Sequence, residues 1–132
     1  GSTDDIYWYS YNSRSRMIEA LGKDGVKSAL VWDSKNYNPI VEGVNISYNS
    51  LLSAIQSVNS NLSALYSLNS IKQAQISTYT YVPLIGLRSK TDVRGIATYY
   101  NYDGLGRLTE TYIIENGTKK ILQKYDYHYS NQ

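Results

Sequence analysis

A chain of 132 residues with a formal net charge of +2, one histidine and no cysteine has room for a single hydrophobic core and excludes several chemistries at once. Without cysteine there is no disulfide, thiolate metal ligand or thiol nucleophile, and rigidity must come from packing. Basic residues scattered among nearly as many acids form no stripe for nucleic acid, and no apolar run is long enough to span a bilayer as a helix, so neither nucleic-acid binding nor membrane insertion is expected.

In chain order, Gly1-Ser2 reads as an expression scar and no secretory signal opens the sequence, so the chain is expected to be an excised piece of a longer protein. Ile6 to Tyr11 alternates rings and predicts a strand. Arg16 to Leu21 returns, Asp24-Gly25 turns, and Val26 to Trp32 goes out again as the third strand of a meander. Residues 33–39 are a loop by composition, and Ile40 to Ile46 is a short strand weakened by Gly43. From Ser47 the period changes: Leu51, Ile55, Val58, Leu62 and Leu65 recur at helical spacing, and Asn59-Ser60-Asn61 divides the stretch into helices near 48–58 and 61–69. Strands then resume over Ile76 to Val82, Leu87 to Thr91, Ile96 to Asp103, Arg107 to Ile114 and Thr118 to Tyr129. Their turns are Asp92-Val93-Arg94-Gly95, Asp103 to Gly106 and Asn116-Gly117. On the last strand, alternation puts Ile121, Tyr125, Tyr127 and Tyr129 on one face and Lys120, Lys124, Asp126 and His128 on the other.

The expected fold class is therefore α+β: an antiparallel β-hairpin meander with a two-helix insertion packed on the sheet. It is read as one domain over 1–132, with degenerate hairpins at 5–33, a loop and short strand at 34–47, the helical insertion at 48–69 and hairpin repeats at 76–132. Fifteen tyrosines and two tryptophans against no phenylalanine suit half-exposed sheet faces, where a ring is covered while its polar end reaches water or a partner.

The centre of this organisation is the hairpin Thr98 to Glu110, in which two ring-rich arms meet across Asp103-Gly104-Leu105-Gly106. Trp8 to Glu19 aligns with Tyr99 to Glu110 without a gap: Tyr11 falls on Tyr102, Asn12 on Asp103, Arg16 on Arg107, Met17 on Leu108 and Glu19 on Glu110. Such self-similarity signals stacked supersecondary units. Tyr102, Asp103, Gly106, Arg107 and Leu108 give the Tyr-Asp, spacer, Gly-Arg, apolar signature, and here the chain resembles the RHS or YD-repeat family. The first copy departs from it with Asn12 for Asp and Ser15 for Gly, losing the glycine that a left-handed backbone favours. Thr78 to Leu87 is a looser copy, and Tyr125-Asp126 opens a half-copy. The resemblance implies a β-hairpin repeat within a large bacterial polypeptide, secreted or exposed at the cell surface, whose partners are the other repeats of the parent chain or another protein. It brings no catalytic residue and no cofactor.

The residues offer little chemistry beyond that. His128 has no second His or Cys to share a metal, and Gly104-Leu105-Gly106 opens no helix that would cradle a phosphate. Asp103, Glu110 and Glu115 are explained by turns and a polar strand face rather than by a carboxylate pair for glycoside hydrolysis. Asp103 is expected to hold turn N–H groups, with Arg107 meeting Asp103 or a ring such as Tyr102. The functional expectation is a non-enzymatic structural or interaction segment, with homo-oligomers forming through exposed edge strands. Its rival is a carbohydrate-binding module in which Trp8, Tyr9, Trp32, Tyr99 or Tyr100 stack on a glycan.

Overall fold

The computed structural model describes residues 6–127, and the side chains from Tyr9 onward. Nine strands run in sequence order, each hydrogen-bonded to the next: β1 (Ile6–Tyr11), β2 (Met17–Gly22), β3 (Lys27–Trp32), β4 (Pro39–Val44), β5 (Gln75–Val82), β6 (Gly86–Thr91), β7 (Ala97–Tyr102), β8 (Leu108–Glu115) and β9 (Thr118–Lys124). The pairs β1–β2, β2–β3, β3–β4, β6–β7, β7–β8 and β8–β9 are antiparallel hairpins, as short turns between alternating segments dictate, whereas β4 and β5 pair antiparallel across the helical insertion. The chain forms two compact units, one up to Thr78 and one from Tyr79 on.

The first unit holds the hydrophobic core. Val31 faces Val41 across β3 and β4, Gly43 faces Ile76 across β4 and β5, and the side chains of Ala29, Val31, Val41 and Ile76 form one buried cluster with the helical insertion. Helix α1 (Tyr48–Ser57) presents Leu51, Ala54 and Ile55 to that cluster, the spacing of one helical face. Its start is fixed twice: Ser47 Oγ accepts the Ser50 N–H, and Glu19 Oε1 on β2 accepts the Tyr48 N–H at 2.6 Å, a carboxylate placed at the positive end of the helix. Gly43 does more than weaken a strand. A Cβ there would stand 2.5 Å from Ile46 Cγ2 and 3.3 Å from Leu51 Cδ2, so its absence lets α1 lie against β4.

The second predicted helix differs. Residues 62–71 form two 3-10 segments, Leu62–Ser67 and Asn69–Ile71, instead of an α-helix. Asn59 and Ser60 both take positive φ (53° and 64°), which ends α1 abruptly, and Asn61 makes no side-chain cap for the segment that begins at Leu62. A short, serine-rich stretch without a cap settles for tighter turns while still burying Leu65 and Ile71.

The second unit is built differently, since none of its described residues is buried. Its strands are held by cross-strand pairs. Tyr99 stacks on Tyr112 with ring centroids 5.2 Å apart, Lys119 lies over the Tyr112 ring and pairs with Glu110, and Glu110 also accepts from Asn101. The last strand stops at Lys124 rather than Tyr129; Tyr125 still bonds Thr109 O, and His128 and Tyr129 lie outside the described residues. Simple alternation on this strand also fails. A bulge places Ile121 opposite Tyr112 and Lys124 opposite Glu110, so Lys124 shares the face of Ile121, because the extra residue shifts the period of two.

Candidate functional site

The motif residues assemble into one local structure. Gly106 N–H donates to Asp103 O and Asp103 N–H to Arg107 O, closing a tight turn whose fourth residue, Gly106, has φ of 78°. Asp103 Oδ1 accepts the N–H groups of Leu105 and Arg107 at 2.9 and 3.0 Å, and Oδ2 accepts from Arg107 Nε at 2.8 Å. The Asp103 carboxyl is held below its ordinary range, first by the Arg107 backbone N–H and further by the Leu105 N–H and the Arg107 guanidinium.

The ring that Arg107 meets is Tyr127, not Tyr102. The guanidinium carbon lies 4.3 Å from the Tyr127 ring centroid, and the Tyr127 hydroxyl donates to Leu108 O at 2.6 Å. Tyr102 instead turns to the preceding strand, where its hydroxyl donates to Leu87 O at 2.7 Å. A Cβ on Gly86 would lie 2.9 Å from that hydroxyl, so a larger residue there would have to displace it. Burial, with a smaller contribution from Tyr100, raises the Tyr102 phenol above its ordinary range.

The first copy builds the same turn with other atoms. Asn12 Oδ1 accepts from Arg14 and Arg16 N–H at 2.9 and 3.1 Å, and Ser15 takes φ of 62° although it is not glycine. Arg16 lies over the Trp32 ring at 5.4 Å, and Trp32 Nε1 donates to Met17 O at 2.8 Å. Both copies therefore contain an arginine on a ring, with that ring bonded to the carbonyl of the residue after the arginine. Having no carboxylate at Asn12, Arg16 directs its Nε to Asn36 O, and Asn12 Nδ2 donates to Asn36 Oδ1.

A third turn of this kind was visible in sequence only as a turn. Asp92 Oδ1 accepts from Arg94 and Ile96 N–H, Asp92 Oδ2 pairs with Arg94, and Gly95 has φ of 83°. The Ile96 N–H is the main cause that lowers the Asp92 carboxyl below its ordinary range. The signal was its Asp-x-x-Gly spacing, shared with Asp103 to Gly106. Tyr127, Gly86 and Asn36 carried no comparable signal, because their roles depend on contacts between strands.

The described ring residues singled out for glycan stacking have different settings within their units. Tyr99 and Tyr100 project to opposite faces of β7, and Tyr99 is stacked on Tyr112. Trp32 is covered by Arg16 and engaged by Met17, whereas Tyr9 is exposed and tilted against Tyr11 at 6.4 Å; the Trp8 side chain lies outside the described residues. Among the described residues, no three His, Cys, Asp or Glu side chains are grouped to hold a metal ion, and no buried side-chain polar atom lacks a partner. Among them too, no helix is long and apolar enough to cross a membrane. A shallow groove beside α1 is lined by Ser50, Ser53, Ser57, Ser70 and Ile71.

The fold and turns define a β-hairpin meander with repeated Asp- or Asn-closed turns. No protein-family model matches the chain, and no curated protein matches it.

Proposed function

We propose that the chain is a non-enzymatic structural and interaction segment of a larger, secreted or surface-exposed RHS-like bacterial protein. The observation that carries this reading is where the motif spends its polar groups. Asp103, Arg107 and Tyr102 all bond groups of their own turn or of the adjacent strand, and Asn12 and Arg16 bond their own turn and the β3–β4 loop at Asn36. A binding or catalytic site keeps such groups for a ligand, often at a cost to stability. Here they close turns and tie a strand to its neighbour.

A glycan array probed with the purified chain tests this reading against carbohydrate binding. Scaffold use predicts no saturable signal, while saturable binding that is lost on replacing Tyr9 or Tyr99 overturns it.

A further inference from the structure

β1 and β2 repeat as β7 and β8 position for position, but the outer edges of the two leading strands differ. β7 is paired with β6 through Ser89 opposite Tyr99, Lys90 opposite Thr98 and Thr91 opposite Ala97. No strand pairs with the outer edge of β1 among the described residues. The register shifts at matching places in the two copies, with Thr109 of β8 the extra residue opposite Asn101 and Tyr102 and Ile18 of β2 the extra residue opposite Ser10 and Tyr11; β1 has a second shift, between Ile6 and Trp8. In the second copy Tyr102 reaches Leu87 O and lies against Gly86, whereas Tyr11 in the first is 58% exposed and its neighbour Tyr9 is 40% exposed.

We propose that the outer edge of β1 is a strand-accepting site, and that its occupant is an extended partner segment with the chemistry of β6. The partner runs antiparallel to β1, places a glycine against the Tyr11 ring and offers the next residue's carbonyl to the Tyr11 hydroxyl. Main-chain bonds supply the attachment, and the glycine and alternate side chains supply selectivity. A basic segment such as Gly86-Leu87-Arg88-Ser89-Lys90 meets no like charge, because β1 carries no basic residue and the sequence entering it is Asp4-Asp5. A second copy is a poorer occupant: its β6 already lies between β5 and β7, and its outer strand β9 carries Lys119, Lys120 and Lys124, charges that oppose edge pairing. The proposal adds to the scaffold reading without depending on it, since strand addition and glycan stacking are read by different probes.

The probe is a synthetic peptide with the sequence of residues 83–92, titrated into the whole chain and followed through the backbone amide signals of β1. Saturable binding that perturbs β1 is expected, weakened roughly tenfold when the peptide's glycine becomes alanine and about fivefold in Tyr11→Phe, which removes one hydrogen bond. Tyr11 is exposed, so that variant should retain the amide spectrum of the parent away from β1. Absence of binding up to millimolar peptide overturns the proposal, as does binding indifferent to both changes. Concentration-dependent self-association that protects the β1 amides also overturns it, in favour of a second copy.

Discussion

The guanidinium of Arg107 lies 4.3 Å from the centroid of the Tyr127 ring, and the hydroxyl of that ring returns to the carbonyl of Leu108, the residue after the arginine. Arg16 and Trp32 repeat the relationship with an indole N–H in place of the phenol. Tyr127→Phe removes the hydrogen bond, a net effect of about 1 kcal/mol. Tyr127→Ala also removes the cation–π contact, worth roughly 0.5–1 kcal/mol at an exposed site. Thermal melts should therefore rank the parent above Phe and Phe above Ala. In a double-mutant cycle, Arg107→Ala should couple to Tyr127→Ala and much less to Tyr127→Phe.

Gly86 and Tyr102 should behave as a pair. Gly86→Ala puts a methyl group 2.9 Å from the Tyr102 hydroxyl, so that hydroxyl must leave Leu87 O. Tyr102→Phe alone costs about 1 kcal/mol. In the double variant the clash is relieved, because the nearest ring carbon lies 3.6 Å from the new methyl, an ordinary contact. Chemical denaturation should show the double variant losing clearly less than the sum of the singles.

Acid should loosen the hairpins. Asp92, Asp103 and Glu110 are all held below their ordinary carboxylate range, the last chiefly by Lys119. A depressed folded pKa means that each group's contribution is complete above the unfolded value, about 4, and is lost as pH falls through the folded value. The melting temperature should stay level from neutral pH to about 5 and fall below about 4. Replacing Asp92 and Asp103 with Asn should flatten the acid limb.

The first unit depends on its covered face. Leu51 is completely buried against the sheet, and Leu51→Ala should cost about 2–5 kcal/mol. Amide exchange should accelerate through β3, β4 and α1, whose residues share that cluster.

Much of the fold was legible because its information is local. The Tyr7-Tyr9-Tyr11 alternation, the Asp-x-x-Gly turns and the Leu51-Ile55-Val58 spacing each report on a few neighbouring residues, and β1 and α1 lie where those patterns put them. Residues 61–69 misled because Leu62 and Leu65 keep a helical spacing that 3-10 turns satisfy equally well over so short a run. Ser15 was misjudged because the loss of glycine was weighed without the two N–H groups that Asn12 gathers to hold the turn. Of the partners expected for Arg107, Asp103 is local and is found, whereas the ring depends on more distant information. Tyr102 reaches the start of β6, where its hydroxyl bonds Leu87 O beside Gly86, and the arginine meets a ring from beyond β9, a choice made by pairing between strands.

The central claim, that the Tyr-Asp motif is spent on folding, is tested most directly at Asp103. Asn12 makes the same two backbone bonds without a charge, so Asp103→Asn should keep the turn and lose only the Arg107 pair, while Asp103→Ala loses both. Melting curves at neutral pH should rank the parent first, Asn close behind and Ala clearly lowest, with the amide exchange of Leu105 and Arg107 accelerated in Ala alone. An Asp103→Ala protein that melts with the parent and leaves those amides protected contradicts the account.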